Sequence, residues 1–203
     1  MALTKKELLS YFSSPIAYII LIATLSLFNV FFYLIVDQNR EVSLRDIFQL
    51  MEFMFVFLIP LLTMRLFAEE KANGTMEFLL TAPLTPAMIV MGKYLSMLIF
   101  YSLMIGSTIT YYFIIEYFGA PDPASILSGY LGIWLEGAFF IAVGLLVSSW
   151  TSNQIIAAMV SYVILFLIYF STSFTRYFTG PMAEFFTQLS TRTHLENFVL
   201  GII

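Results

Sequence analysis

Five long apolar runs divide this chain, and the polar positions between them gather in short clusters. The runs are Ile16–Val36, Ile47–Met64, Tyr94–Ile115, Gly129–Trp150 and Ile155–Phe174, each 18 to 22 residues long. At about 1.5 Å of rise per residue, each is long enough to cross a hydrocarbon core of about 30 Å. Within lipid every backbone group needs an internal partner, so runs of this length predict helices. None of them alternates with a period of two, which excludes the strands of a transmembrane barrel. The first run carries no charge in 21 residues and is followed by Asp37-Gln38-Asn39-Arg40. It is too long for the apolar region of a signal peptide and lacks a small-residue cleavage site, so it reads as a span.

The polar clusters differ in kind. Asp37–Asp46 and Gly119–Ser128 read as short turns, and Thr151-Ser152-Asn153-Gln154 as a tight hairpin between the fourth and fifth spans. The longest cluster, Arg65–Lys93, has its own punctuation. The second span is expected to continue as a rigid helix through Arg65–Lys71. Asn73-Gly74 then supplies a stop, because both residues tolerate positive φ. Thr75 can cap a new helix, Met76–Ala82, with Glu77 near its positive end. Pro83 ends that helix, and Thr85-Pro86 restarts the chain as the third span. The short helix cannot cross a membrane and must lie at its surface. Met76, Phe78, Leu79 and Leu80 are its apolar knobs, and either lipid headgroups or a groove on another protein can receive them.

The two ends of the chain add surface elements. Residues 1–14 mix Lys5, Lys6 and Glu7 with Leu8, Leu9 and Phe12, the composition of a short interfacial segment before Pro15. Residues 175–203 mix aromatics with Arg176, Glu184, Arg192 and Glu196, and read as short interfacial helices. The chain stops on the apolar Val199-Leu200-Gly201-Ile202-Ile203, and a sixth span is expected beyond it. The whole of 1–203 is one transmembrane domain, an all-α polytopic bundle.

Composition narrows the chemistry. The chain is 60% hydrophobic and 11% charged, far from the roughly 25% charge of a soluble domain. It has no cysteine and a single histidine, His194, so thiol catalysis, thiolate metal sites and histidine metal clusters are excluded. A net charge of −4 does not point to nucleic acid. The one Gly-Lys pair, Gly92-Lys93, is followed by Tyr94, and Ala87 stands where a phosphate loop needs its first glycine. The chain therefore does not bind or hydrolyse nucleotide itself. HExxH and GxSxG are likewise missing from the sequence. The reading is a non-enzyme with no cofactor of its own.

Three carboxylates lie in or near the spans: Glu52, Glu116 and Glu136. A charge in lipid costs a few kcal/mol on insertion scales, so such groups face protein, water or a partner. Glu136, about two turns into the fourth run, is the candidate for lining a pathway. Small residues at four-residue spacing, Ser102, Gly106 and Thr110 on the third span and Gly144 and Ser148 on the fourth, are expected at helix contacts.

Three stretches together resemble a known family. They are Lys6-Glu7-Leu8 with Tyr11-Phe12-Ser13-Ser14-Pro15-Ile16-Ala17-Tyr18; Met64-Arg65-Leu66-Phe67-Ala68-Glu69-Glu70 with Gly74-Thr75-Met76-Glu77-Phe78-Leu79-Leu80-Thr81-Ala82-Pro83; and Ser148-Ser149-Trp150-Thr151-Ser152-Asn153-Gln154. They are similar to the type-2 ABC export permeases, and most so to the gliding-motility and nitrous-oxide-cluster branch. The resemblance implies six spans and a transmembrane subunit that forms the substrate path. It implies partnership with separate ATP-binding subunits, which carry ATP and Mg, and with a second permease copy or a homologous permease. It makes 65–93 a cytoplasmic coupling hairpin. Arg65, Glu69, Glu70, Lys71, Thr75, Met76, Glu77, Phe78, Leu79 and Leu80 are then the residues that meet the ATPase. It places the protein in the inner, cytoplasmic membrane with its N-terminus inside. The count of Lys and Arg agrees by five inside to four outside. Two other classes stand as alternatives: a non-transporting membrane scaffold or anchor for a soluble partner, and an ion-coupled secondary transporter. The latter calls for inverted repeats or broken midplane helices.

Overall fold

The computed structural model describes residues 2–39, 44–81, 84–118, 122–175, 177–178 and 180–199. Every regular element among them is a helix: α1 Ala2–Ser13, α2 Pro15–Asn39, α3 Arg45–Thr63, α4 Arg65–Ala72, α5 Met76–Thr81, α6 Pro86–Ser107, α7 Thr110–Phe118, α8 Pro123–Ser148, α9 Gln154–Tyr169, α10 Ser171–Phe174, α11 Pro181–Leu189 and α12 Thr191–Val199. Four helical stretches are long and apolar enough to cross a membrane: 17–37, 45–72, 86–117 and 123–148.

The fifth expected span is divided. Helix α9 has 16 residues, about 24 Å, and a turn at Phe170 separates it from α10. The third is divided as well, between α6 and α7 at Thr108-Ile109. The cause is local. Ser107 and Thr108 turn their hydroxyls onto the carbonyls of Met104 and Ile105, competing with the helix ladder. The displaced Thr108 carbonyl accepts from Tyr130 Oη at 2.7 Å, so the break leaves no orphan there.

Helix α3 forms the middle of the bundle, packed on α2, α8, α9 and α12. Met51, Phe55, Ile59, Ile133, Phe140 and Leu165 are fully buried along these contacts. Lipid is as apolar as leucine, so close packing rather than expulsion from water holds such helices together. Gly137 shows how close. A methyl group there would stand 2.0 Å from the Tyr101 ring, whose hydroxyl donates to the Ile133 carbonyl at 2.7 Å. On α6, Ser102 accepts a bond from Trp134 Nε1, as a contact residue should. Gly106, expected at the same contact, instead faces open space.

The first and last segments also pack on the bundle. Helix α1 lies on α6, with Tyr11 buried against Phe100. Helix α12 packs on α8 and α3, and buries Leu195. Arg45 at the start of α3 pairs with Glu196 of α12 at 2.6 Å.

Candidate functional site

The polar end of the bundle is built around α4. Met64 keeps helical dihedrals (φ −53°, ψ −32°), so the chain continues in the course of α3, but the helix is interrupted there. The expected continuation of the second span through Arg65–Lys71 therefore holds in its course, 45–72 forming one long helical stretch, but the hydrogen-bond ladder is interrupted and leaves a joint at Met64. Ser148, the last residue of α8, fills the joint. Its Oγ accepts from the Phe67 and Ala68 amides at 3.0 and 3.1 Å and donates to the Met64 carbonyl at 2.9 Å. A side chain inserted into the helix ladder is one of the few established causes of a helix break.

Helix α4 ends as its sequence requires. Gly74 has φ +68°, its amide bonds to the Lys71 carbonyl, and the Thr75 amide reaches the Glu70 carbonyl. These two bonds define a Schellman stop, in which glycine takes the left-handed position. Thr75 Oγ1 also donates back to the Glu70 carbonyl. The six-residue α5 follows, with α4 as its main contact. Pro83 lies outside the described residues. Thr85 then caps α6, its Oγ1 accepting from the Met88 amide, with Pro86 in the first turn.

The charged residues of α4 divide between inward and outward roles. Glu70 Oε1 pairs with Lys93 Nζ of α6 at 2.7 Å, and Lys93 also meets Glu7 of α1 at 3.3 Å. Lys93 is 1% exposed and lies 5.3 Å from the Phe67 ring centre. Arg65 stacks over the Tyr11 ring at 4.8 Å and reaches Ser14 Oγ at 3.4 Å. Burial pushes the Tyr11 phenol well above its ordinary range, and the Arg65 charge opposes that rise. Lys71 donates to the Ser149 carbonyl at the turn after α8. Glu69 is half-buried, and Met76 is half-buried against the core; Glu77 is exposed. The side chains of Phe78, Leu79 and Leu80 lie outside the described residues. A cleft of about 260 Å³ opens between α1 and α4, lined by Lys6, Glu7, Glu69, Glu70, Asn73 and Thr75 among others.

Several residues of this site carry no signal in a linear reading. Lys93 and Ser148 are 23 and about 80 positions from the α4 atoms they hold, and Glu7 is 86 positions from the Lys93 it holds. One hint was available: Lys93 stands alone at the mouth of an uncharged run, where only a partner or the interface can accept an ammonium.

Glu136 occupies a separate place. It is 8% exposed on α8, and both its carboxylate oxygens lack a hydrogen-bond partner among the described residues. Glu52 of α3 is 1% exposed and interacts with it electrostatically. Helices α3 and α8 run parallel and are tied together by the Ser148–Met64 bond. Each carboxylate is twelve residues back from that tie, so both lie about 18 Å from it, at one level. Helix α12 covers them from one side. Arg192 is within electrostatic reach of Glu52, and Thr191 approaches Glu136 without hydrogen-bond geometry.

The fold is thus that of a polytopic helical membrane protein with a short polar hairpin mounted on its second and third spans. Residues 22–202 match the family model described as ABC-2 family transporter protein, and the chain belongs to that family. It is accordingly a membrane permease, the non-catalytic transmembrane component of an ABC transporter. No curated protein and no solved structure matches the chain significantly.

Proposed function

We propose that this permease works in an exporter of the gliding-motility and nitrous-oxide-cluster branch, and that α5 is the helix that docks on a separate ATP-hydrolysing subunit. The observation that carries this reading is the mounting of α5. A six-residue helix stands between a Schellman stop and a capped, proline-started helix, with a firmly bonded α4 behind it. A helix held in that way can receive a push and pass it on, which a helix floating in headgroups cannot. Met76, Phe78, Leu79 and Leu80 provide the apolar anchorage, and Glu69 and Glu77 the outward charge. Arg65, Glu70, Lys71 and Thr75 act behind them by fixing the mount. ATP and Mg belong to the partner. The assembly is a dimer of permeases, of one kind or two, in the inner membrane with the N-terminus and the hairpin in the cytoplasm. Glu136 faces the path between the helices.

The test is co-purification. Leu79→Asp combined with Leu80→Asp should abolish capture of the ATPase through a tag on this chain, while the thermal melting of the permease in detergent stays as in the wild type. Undiminished capture by the double variant would overturn the docking role.

A further inference from the structure

The joint at Met64 poses a mechanical problem for any signal entering at α5. A helix interrupted where it leaves the membrane transmits torque poorly along its own axis. We infer that Ser148 is the positioning residue that solves this: its hydroxyl pins the α3–α4 joint to the end of α8, so that movement of α4 enters the bundle through α8 as well as α3. This rests on the docking role of α5 proposed above.

Three observations carry it. The Ser148 Oγ makes three bonds, and they span both sides of the interruption: the Met64 carbonyl before it, the Phe67 and Ala68 amides after it. Ser148 is fully buried, so no water replaces the hydroxyl if it is removed. The next residue adds a second tie in the same direction, because the Ser149 carbonyl accepts from Lys71. The route beyond is open. Ser148 ends the helix that carries Glu136, and α8 packs on α3, α6, α9 and α12. A pin at its end therefore addresses most of the bundle at once. Without the pin, two buried amides lose their acceptor and the joint loses its tie to α8.

The cysteine-free chain permits a direct test with spin labels at Asn73, after α4, and Ser152, after α8, in nanodiscs. In the native complex the label distance should form one narrow distribution that is the same without nucleotide and after trapping with ATP and vanadate. Ser148→Ala should keep the ATPase bound, broaden the distribution and make it shift on trapping. Exchange of the Phe67 and Ala68 amides should quicken by about tenfold or more. Ser148→Thr, which retains the hydroxyl, should restore the narrow distribution. Ser128→Ala, which removes a hydroxyl bonded only within α8, should match the wild type. Coincident distributions for wild type and Ser148→Ala would overturn the inference, as would a wild-type distance that shifts on trapping. If no ATPase accompanies the wild-type chain, the docking reading fails. The nucleotide-free widths and the amide exchange then still decide whether Ser148 is the pin.

Discussion

Lys93 Nζ lies 2.7 Å from Glu70 Oε1 and 3.3 Å from Glu7 Oε1, with its side chain 1% exposed. One ammonium thus joins α1, α4 and α6. Two acidic partners give it a charge-assisted bond on either side, which its burial demands. Lys93→Met keeps the stem and strands both carboxylates. Breaking a buried pair costs about 3–5 kcal/mol, and the glutamates retain some solvent, so the expected loss is about 2–3 kcal/mol. Reversible unfolding in mixed micelles should measure it. Combining Lys93→Met with Glu7→Gln and Glu70→Gln should recover most of the loss, because no charge is then left unpaired.

Gly74 is the hinge pin of the hairpin in sequence terms. Any side chain at φ +68° is strained, and a β-branched one most of all. Gly74→Val should destabilise the hairpin by about 1–2 kcal/mol, and Gly74→Asn by much less. The Thr75 amide reads this directly. Its exchange should accelerate in the valine variant and stay slow in the asparagine variant, since it is the Schellman bond to Glu70 that protects it.

The packing of α8 on α6 depends on a missing methyl group. Gly137→Ala drives a carbon into the Tyr101 ring, for which overpacking costs about 1–3 kcal/mol. A second change, Tyr101→Leu, should offset part of that cost by withdrawing the ring, although it also removes the bond to Ile133. A double-mutant cycle on thermal stability should therefore show a favourable coupling between the two sites.

Asp122 caps α8 at the opposite end of the bundle. Its carboxylate accepts from Ser125 Oγ at 2.6 Å and from the Ala124 amide at 3.1 Å, and these bonds hold it below the usual aspartate range. A carboxyl depressed in the folded state stabilises above its unfolded value, about 3.9, and loses that contribution as the pH falls through the folded value. Asp122→Ala should lower the melting temperature at neutral pH. The gap to wild type should close on acidification below about pH 4.

The legible part of this fold is the part governed by local rules. Asn73-Gly74 and Thr85-Pro86 state their roles within a few residues, and the structure places a stop and a start at those positions. The all-α membrane architecture follows from run length and the backbone's need for internal partners. The joints were not legible. The interruption at Met64 depends on a hydroxyl that arrives 84 residues later, and the break after Ser107 is stabilised by Tyr130 from another helix. Glu70 and Lys71 look like surface charges on a polar loop. Their inward turn depends on Lys93 and on the carbonyl of Ser149, and no periodicity encodes either contact.

The tie between Glu7 and Lys93 also has a meaning in time. The two residues are 86 positions apart, and the chain is made from its N-terminus. At about 5–20 residues per second, Glu7 waits roughly 4–17 seconds for its partner to be synthesised. During that interval α1 has neither Lys93 nor the α6 surface that buries Tyr11. The first helix made therefore cannot settle until α6 is made, and its settling reports that the third span has arrived.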